Sequence, residues 1–240
     1  AGTAFTIRDL GLDLLWVKPG TFEMGSPSSE KDRDDDETRH TVTLTQGFYL
    51  GKHEVTQSQS EKVMGSNPSR YKGGNRPVER VSWTEVTSFC NKLTASERAA
   101  GRLPAGMTYQ LPTEAQWEYA CRAGTKTVYA FGDSLTSGQA NIAGGSGKST
   151  DVGKYPANGW GFHDMHGNVW EWCADWYGDY PAGAARDPVG PADGSSRVAR
   201  GGSWSRTALS ARSANRFRFE PAVSIITLGF RLSLRPPASK

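Results

Sequence analysis

The chain has little cysteine: 3 in 240 residues, and none after Cys173. Three thiols cannot build the even-numbered disulfide framework of small secreted folds. A chain of 240 residues does not need one, because it can bury a core of its own. Cys90, Cys121 and Cys173 are therefore expected as buried thiols behaving like small hydrophobes. Histidine is also scarce, at 4 residues. His163 and His166 form a His-x-x-His pair, but His40 and His53 lie far away in strand-like segments, so a histidine-built zinc or iron centre is not expected. No apolar run approaches the ~18 residues that cross a membrane, and mean hydropathy is −0.57. No Gly-x-Ser-x-Gly elbow occurs, which argues against a serine hydrolase. The chain begins at Ala1 rather than Met. The expected compartment is thus exported or surface-associated if a leader was removed, and cytoplasmic otherwise.

Charge of one sign is also lacking. The net charge is +3 and the pI about 8.8. Arg206, Arg212, Arg216, Arg218 and Arg231 interleave with Phe217, Phe219 and Phe230, but no basic run or nucleic-acid module accompanies them. These arginines are expected to bridge loops, and no nucleic-acid partner is expected. The acidic run Glu30, Asp32, Asp34, Asp35, Asp36 and Glu37 is broken by Lys31 and Arg33. It lacks the glycine pivot of an EF-hand loop, so a solvated loop is expected.

What is present is glycine (28), proline (13) and tryptophan (8). Together they point to much irregular backbone held by aromatic packing. Strands are expected at Leu12 to Val17, Phe22 to Met24, His40 to Leu44 and Phe48 to Glu54. Val55-Thr56-Gln57 leads into a short helix through Met64. Ser82 and Glu85 form a capping box for a helix from Trp83 to Ala99, with Val86, Phe89, Cys90 and Leu93 on its apolar face. Thr113 and Gln116 form a second box for a helix to Ala123, where Gly124 stops it. From 125 to 228 the chain reads as loops with short strands, the clearest at Arg197 to Trp204. A last strand is expected over Leu228 to Leu234. No repeat or linker divides the chain, so residues 1–240 are expected to form a single domain and a monomer.

Four ordered motifs carry a resemblance. They are Leu111-Pro112-Thr113-Glu114-Ala115-Gln116-Trp117-Glu118-Tyr119-Ala120, then Asp164-Met165-His166-Gly167-Asn168-Val169-Trp170-Glu171-Trp172, then Arg200-Gly201-Gly202-Ser203-Trp204, and last Gly229-Phe230-Arg231. Over nearly its whole length the chain resembles the formylglycine-generating-enzyme (sulfatase-modifying factor) family. That resemblance implies the α+β, C-type-lectin-like fold, with two main helices, antiparallel sheets and much irregular loop. It does not imply the family's oxidase activity. The oxidase has a reactive cysteine pair just after Gly-Gly-Ser-Trp, whereas this chain continues Ser205-Arg206-Thr207-Ala208-Leu209-Ser210-Ala211. A copper-thiolate oxidase needs soft sulfur ligands, so no copper is expected. The family disulfide from the position of Cys121 is likewise excluded, because its partner position holds Leu232.

The resemblance also implies a structural calcium. Hard cations take carboxylate and carbonyl oxygens, and the matching residues are Asp164, Gly167, Val169 and Glu171. A second family site begins at Asn141-Ile142, where the following loop is shorter and Asp151 is the remaining carboxylate. The segment 204–228 mixes aromatic, aliphatic, hydroxyl and arginine side chains without period, which is the composition of a binding hot spot. Its candidate contact residues are Trp204, Ser205, Arg206, Thr207, Leu209, Phe217, Phe219, Val223, Ile225 and Ile226. The variable proteins of diversity-generating retroelements resemble this chain further, since they diversify the stretch between Gly-Gly-Ser-Trp and Gly-Phe-Arg for ligand binding. The function expected is therefore a non-catalytic, ligand-binding protein with a protein or glycan partner. The alternative is a divergent oxidase or modifying enzyme that uses other residues on the same scaffold.

Overall fold

The computed structural model describes residues 4–235. Its strands are β1 (Phe5–Ile7), β2 (Leu12–Val17), β3 (Gly20–Met24), β4 (His40–Leu44), β5 (Phe48–Gly51), β6 (Thr108–Gln110), β7 (Trp170–Trp176), β8 (Ala185–Arg186), β9 (Arg197–Arg200), β10 (Phe217–Phe219), β11 (Leu228–Gly229) and β12 (Ser233–Arg235). Its helices are α1 (Gln57–Met64), α2 (Trp83–Ala99) and α3 (Glu114–Arg122), with a 3₁₀ turn at Ala208–Ala211. This is the lectin-like α+β fold, with a short third helix besides the two main ones.

All three helices start at capping boxes, on Thr56 with Gln59, Ser82 with Glu85 and Thr113 with Gln116. In each, the hydroxyl and the side chain three residues on satisfy amide donors that the first turn leaves free. Helix α3 ends where Ala123 turns left-handed at φ 48°, one residue before Gly124.

One sheet runs β1-β2-β5-β12-β6, entirely antiparallel. A second, β10-β9-β7-β11, carries the candidate surface, and its β11 runs parallel to β7. A third is β3-β4-β8. One core cluster joins α2 to Trp170, Trp172, Phe230 and Leu234, and a second gathers Trp117, Phe48, Phe162 and Cys173.

The expected strand Arg197 to Trp204 stops at Arg200. Gly201 and Gly202 take positive φ (94° and 75°) and turn the chain out of the sheet. The expected strand Leu228 to Leu234 divides into β11 and β12, and the one over Phe48 to Glu54 stops at Gly51. Strand β7 was not expected, since Trp170–Trp176 is buried on both faces and shows no alternation.

Candidate functional site

The turn at 164–171 supports everything above it. Asp164 and Asn168 sit at left-handed φ of 58°, and Gly167 at 95°. A Cβ on Gly167 would lie 2.4 Å from the carbonyl oxygen of Asn141, so only glycine allows this approach. The Asn168 amide nitrogen donates to that same carbonyl (2.8 Å). Its side-chain oxygen accepts from Thr150 N (2.9 Å), and its side-chain nitrogen donates to Glu54 Oε1 (3.0 Å). The Asn168 carbonyl then accepts from Trp204 N (2.9 Å), which ties the turn to the start of the candidate surface.

Glu171 is fully buried, and both of its oxygens are engaged. Arg231 reaches them through Nε and Nη2 (2.6 Å each), and Trp117 Nε1 donates at 2.7 Å. Asp164 Oδ2 accepts from Gly153 N at 2.6 Å. Glu54 is fully buried, and its Oε2 has no hydrogen-bond partner. Burial first, then the nearby Asp164 and Glu171, hold the Glu54 carboxyl well above the usual range. Burial likewise pushes Asp164 up to about 6, against the opposing pull of Gly153 N–H and Arg231. Three buried carboxyls thus face one guanidinium. The surplus suits a proton or a hard cation at Asp164 and Glu54. Glu171 would reach a cation only by sharing an oxygen with Arg231. At the second expected site, Asn141 Oδ1 accepts from Ser146 and the Ile142 carbonyl from Gly145 N, while Asp151 is exposed. Among the described residues no hydrogen bond or ion pair joins Asp151 to that turn.

The segment after Trp204 is held at both ends and in the middle. Trp204 meets Tyr71 edge-on at 5.7 Å, and the Arg206 carbonyl accepts from Ala143 N. Residues 212–216 are clamped from below. Arg212 pairs with Glu37 and Glu30, and Arg216 holds Glu114 through Nε and Nη2 (2.7 and 2.9 Å). Asn215 donates to Asp34 at 3.0 Å. The acidic loop expected to be solvated is therefore partly internal. Glu37 is fully buried, and Arg212, Arg216 and Arg231 act as bridges. Among the described residues, Asp34, Asp36 and Glu37 form an acidic cluster with ligand atoms within 4.8 Å of one another. Arg212 already supplies its counter-charge.

Past the clamp, β10 pairs with β9 at the sheet edge, with Phe217 opposite Ala199 and Phe219 opposite Arg197. Ala199 also faces Trp172 on the other side, and its small side chain lets aromatics meet across it. Phe217 stacks on Trp170 (5.1 Å, 28°), and Phe219 meets Trp172 edge-on (5.9 Å). The tryptophans are buried, and the phenylalanines form the outer layer. The backbone then returns through Pro221, which accepts from Trp83 N, and Ile225, which accepts from Arg80 N.

None of the ten expected contact residues is buried. Ser205, Arg206, Thr207, Leu209, Phe217 and Ile225 are exposed, and Trp204, Phe219, Val223 and Ile226 are half-buried. Five large apolar side chains are prominently exposed in the described chain, and three of them, Leu209, Phe217 and Ile225, lie in this segment. Single exposed apolar residues are ordinary on a folded chain, and what sets this segment apart is that three of the five share it. Tyr71 and Arg80 also belong to this neighbourhood. The sequence held no signal for them, because they reach it from distant loops. The thiols offer no nucleophile here: all three are buried, and burial pushes Cys90 and Cys121 up to about 12.

Among the described residues no helix is long and apolar enough to cross a membrane. The fold superposes on the Treponema denticola variable protein 1 with a TM-score of 0.86 and 30% identity, covering 98% of this chain and 99% of that one. PvdO from Pseudomonas aeruginosa matches with a TM-score of 0.85 and 27% identity, over 97% and 98% of the two chains. In sequence, the chain is 32% identical over 241 residues to a Chlamydia caviae protein named serine/threonine-protein kinase pkn1. That match covers 93% of this chain but only 38% of the Chlamydia protein. The formylglycine-generating enzyme of Streptomyces coelicolor is 38% identical over 181 residues, 65% of this chain and 52% of that enzyme. The family pattern of the sulfatase-modifying factor enzyme 1-like domain matches residues 8–235, and the chain belongs to that family.

Proposed function

We propose that this protein is a non-catalytic binding module that engages a macromolecular ligand through the 204–226 surface. The observation that carries the reading is the exposure of Leu209, Phe217 and Ile225 on a segment whose middle is pinned by buried ion pairs. Rigid scaffolds that present aromatic, aliphatic and arginine side chains on loops are built for recognition rather than bond-making. The mixed chemistry, with the Arg206 guanidinium 6.0 Å from the Phe217 ring, suits a protein or glycan better than a small cofactor. Likeness to the Treponema denticola variable protein 1 supports this reading and motivates a diversified segment. The missing thiol pair weighs against the oxidase chemistry of the Streptomyces relative.

We further propose that a calcium ion held near Asp164 and Glu54 supports this scaffold. Its role there is structural: to neutralise buried carboxylates beneath the Trp204 anchor.

The test of function is a substitution scan of 204–228 read for folding, together with affinity selection against surface proteins and glycans. Positions 205–207, 209, 217 and 225 should tolerate change in folding while altering what is captured. Loss of folding across those positions, or capture unchanged by Phe217→Ser with Ile225→Ser, would overturn the reading.

A further inference from the structure

A cavity of about 360 Å³ lies on the far side of the Arg216 clamp, between the start of α3 and the loop that follows β7. Its volume falls in the range of small-molecule sites, roughly 300–1,000 Å³. Trp176, Tyr180, Pro188, Val189 and Pro191 supply the large apolar and aromatic part of its wall. Val189, 52% exposed, stands among these wall residues. At Gly190 (φ 73°) a Cβ would lie 2.9 Å from both Asp175 Cβ and the Trp176 carbonyl oxygen. Glycine there lets the loop close directly over Asp175.

Asp175 is one of the polar residues lining this space, and it is only 4% exposed. Its Oδ2 accepts from Glu114 N at 2.8 Å. Among the described residues its Oδ1 has no hydrogen-bond partner. The arginine in the cavity wall is committed elsewhere, and Arg197 nearby keeps a buried Nε without a partner. Arg216 is bound by both oxygens of Glu114, donates to the Gly178 carbonyl at 3.0 Å, and lies 3.8 Å over the Tyr180 ring. Arg197 is sandwiched on Trp176 and Trp83 and donates to the Ala174 carbonyl. Among the described lining residues there is no lysine, and Asp179 adds a second carboxylate at the rim.

An anion entering this cavity meets three carboxyls, Glu114, Asp175 and Asp179, against one arginine that Glu114 already holds. A neutral apolar ligand leaves Asp175 Oδ1 buried and unpaired, which costs free energy. A donor carrying positive charge satisfies it with the stronger, charge-assisted bond. We propose that this cavity is a second binding site, for a compact organic amine: an ammonium group seated on Asp175 and an apolar, ring-sized body against Trp176, Pro188 and Pro191. It is separate from the 204–226 surface, and either can fail without the other.

The groups facing Asp175 set a pH dependence. Burial, then Glu114, raises the Asp175 carboxyl to about 7, while the Glu114 N–H, Arg235 and Arg216 oppose the shift. Ammonium binds the ionised form, so affinity should rise by roughly tenfold from pH 6 to pH 8.

The experiment uses 2-phenylethylamine as probe, with 2-phenylethanol and 3-phenylpropionate as neutral and anionic isosteres, followed by amide NMR of the full chain. The amine should shift the Gly178, Gly190 and Trp176 indole signals saturably in the millimolar range. The isosteres should bind about tenfold or more weakly. Asp175→Asn keeps an acceptor for Glu114 N and should lose the preference for the amine and its pH dependence. Val189→Trp, at an already exposed position, should block all three probes with the melting temperature unchanged, and it serves as the test if Asp175→Asn fails to fold. Equal binding of the alcohol, an amine preference that survives Asp175→Asn, no response to Val189→Trp, or no saturable shift at all would overturn the proposal.

Discussion

Arg212 and Glu37 form a buried, two-pronged ion pair, with Nη1 and Nη2 at 2.7 and 2.6 Å from the two carboxylate oxygens. The two residues belong to segments at opposite ends of the chain, and the pair fastens the acidic 30–37 loop beneath the candidate surface. Arg216 with Glu114 and Arg231 with Glu171 repeat the device. The Arg212 and Arg216 pairs fix the backbone of the exposed segment from below.

Removing one partner of such a pair leaves a buried charge uncompensated. Arg212→Met should cost about 3–5 kcal/mol, read as a drop of roughly 2–4 °C in melting temperature per kcal/mol for a chain of this size. Adding Glu37→Leu should recover part of the loss, because it removes the stranded carboxylate. Burial alone would raise the Glu37 carboxyl, but Arg212 and Ser26 hold it below its usual value of 4.5. A lowered acid stabilises the fold above its unfolded pKa, and that stability is lost as pH falls through the folded value. Amides of the 30–37 loop should accordingly lose hydrogen-exchange protection below about pH 4.5, before the core does.

The outer and inner aromatic layers should separate in stability. Phe217→Ser together with Ile225→Ser removes partly exposed groups and one stacking contact, worth about 0.5–1.5 kcal/mol. The double variant should melt within a few degrees of wild type. Trp170→Ala, beneath Phe217, should cost about 3–5 kcal/mol through lost burial and a cavity. Comparable losses in the two variants would place the phenylalanines in the core and sink the binding surface.

The sequence was most readable where local chemistry decides structure. The capping boxes at Ser82 and Thr113 are written in a few adjacent residues. It was least readable where partners are distant. Trp170–Trp176 conceals a central strand because both faces are buried, and the acidic 30–37 run conceals a clamp because its arginines come from 212–216. For the candidate surface, composition pointed to a segment whose candidate contact side chains the structure leaves exposed or half-buried. It could not show that Phe217 lies on Trp170 while still exposing part of its ring. The calcium expectation named Glu171, and only the structure shows that carboxylate engaged by Arg231 while Glu54 keeps an unpartnered oxygen.

Incubation with copper and a cysteine-containing sulfatase peptide should yield no formylglycine. That chemistry needs an accessible thiolate pair. The three cysteines here are buried, and Cys90 and Cys121 are held at about 12, so they stay protonated at neutral pH. Mass-spectrometric detection of the aldehyde product would show that other residues supply the oxidase function.

The surplus of buried carboxyls makes a prediction whose sign differs from that of Glu37. The folded values of Glu54 and Asp164 are raised, Asp164 to about 6. A raised acid binds its proton more tightly in the folded state, so its stabilisation is present below the unfolded pKa and is lost as pH rises through the folded value. Without calcium, stability should therefore decline between about pH 4 and pH 6, as Asp164 ionises beside Glu171. A cation bound only by the folded protein stabilises it by mass action. Added calcium should raise the melting temperature at pH 7, and chelator should reverse the gain. Neither should matter at pH 4, where both carboxyls hold protons. Glu54→Gln keeps an acceptor for Asn168 and removes the uncompensated charge, so it should stabilise the chelated protein at pH 7 and shrink its response to calcium. A melting temperature indifferent to chelator across this range would remove the cation from the account and leave protons as the only occupants of Glu54 and Asp164.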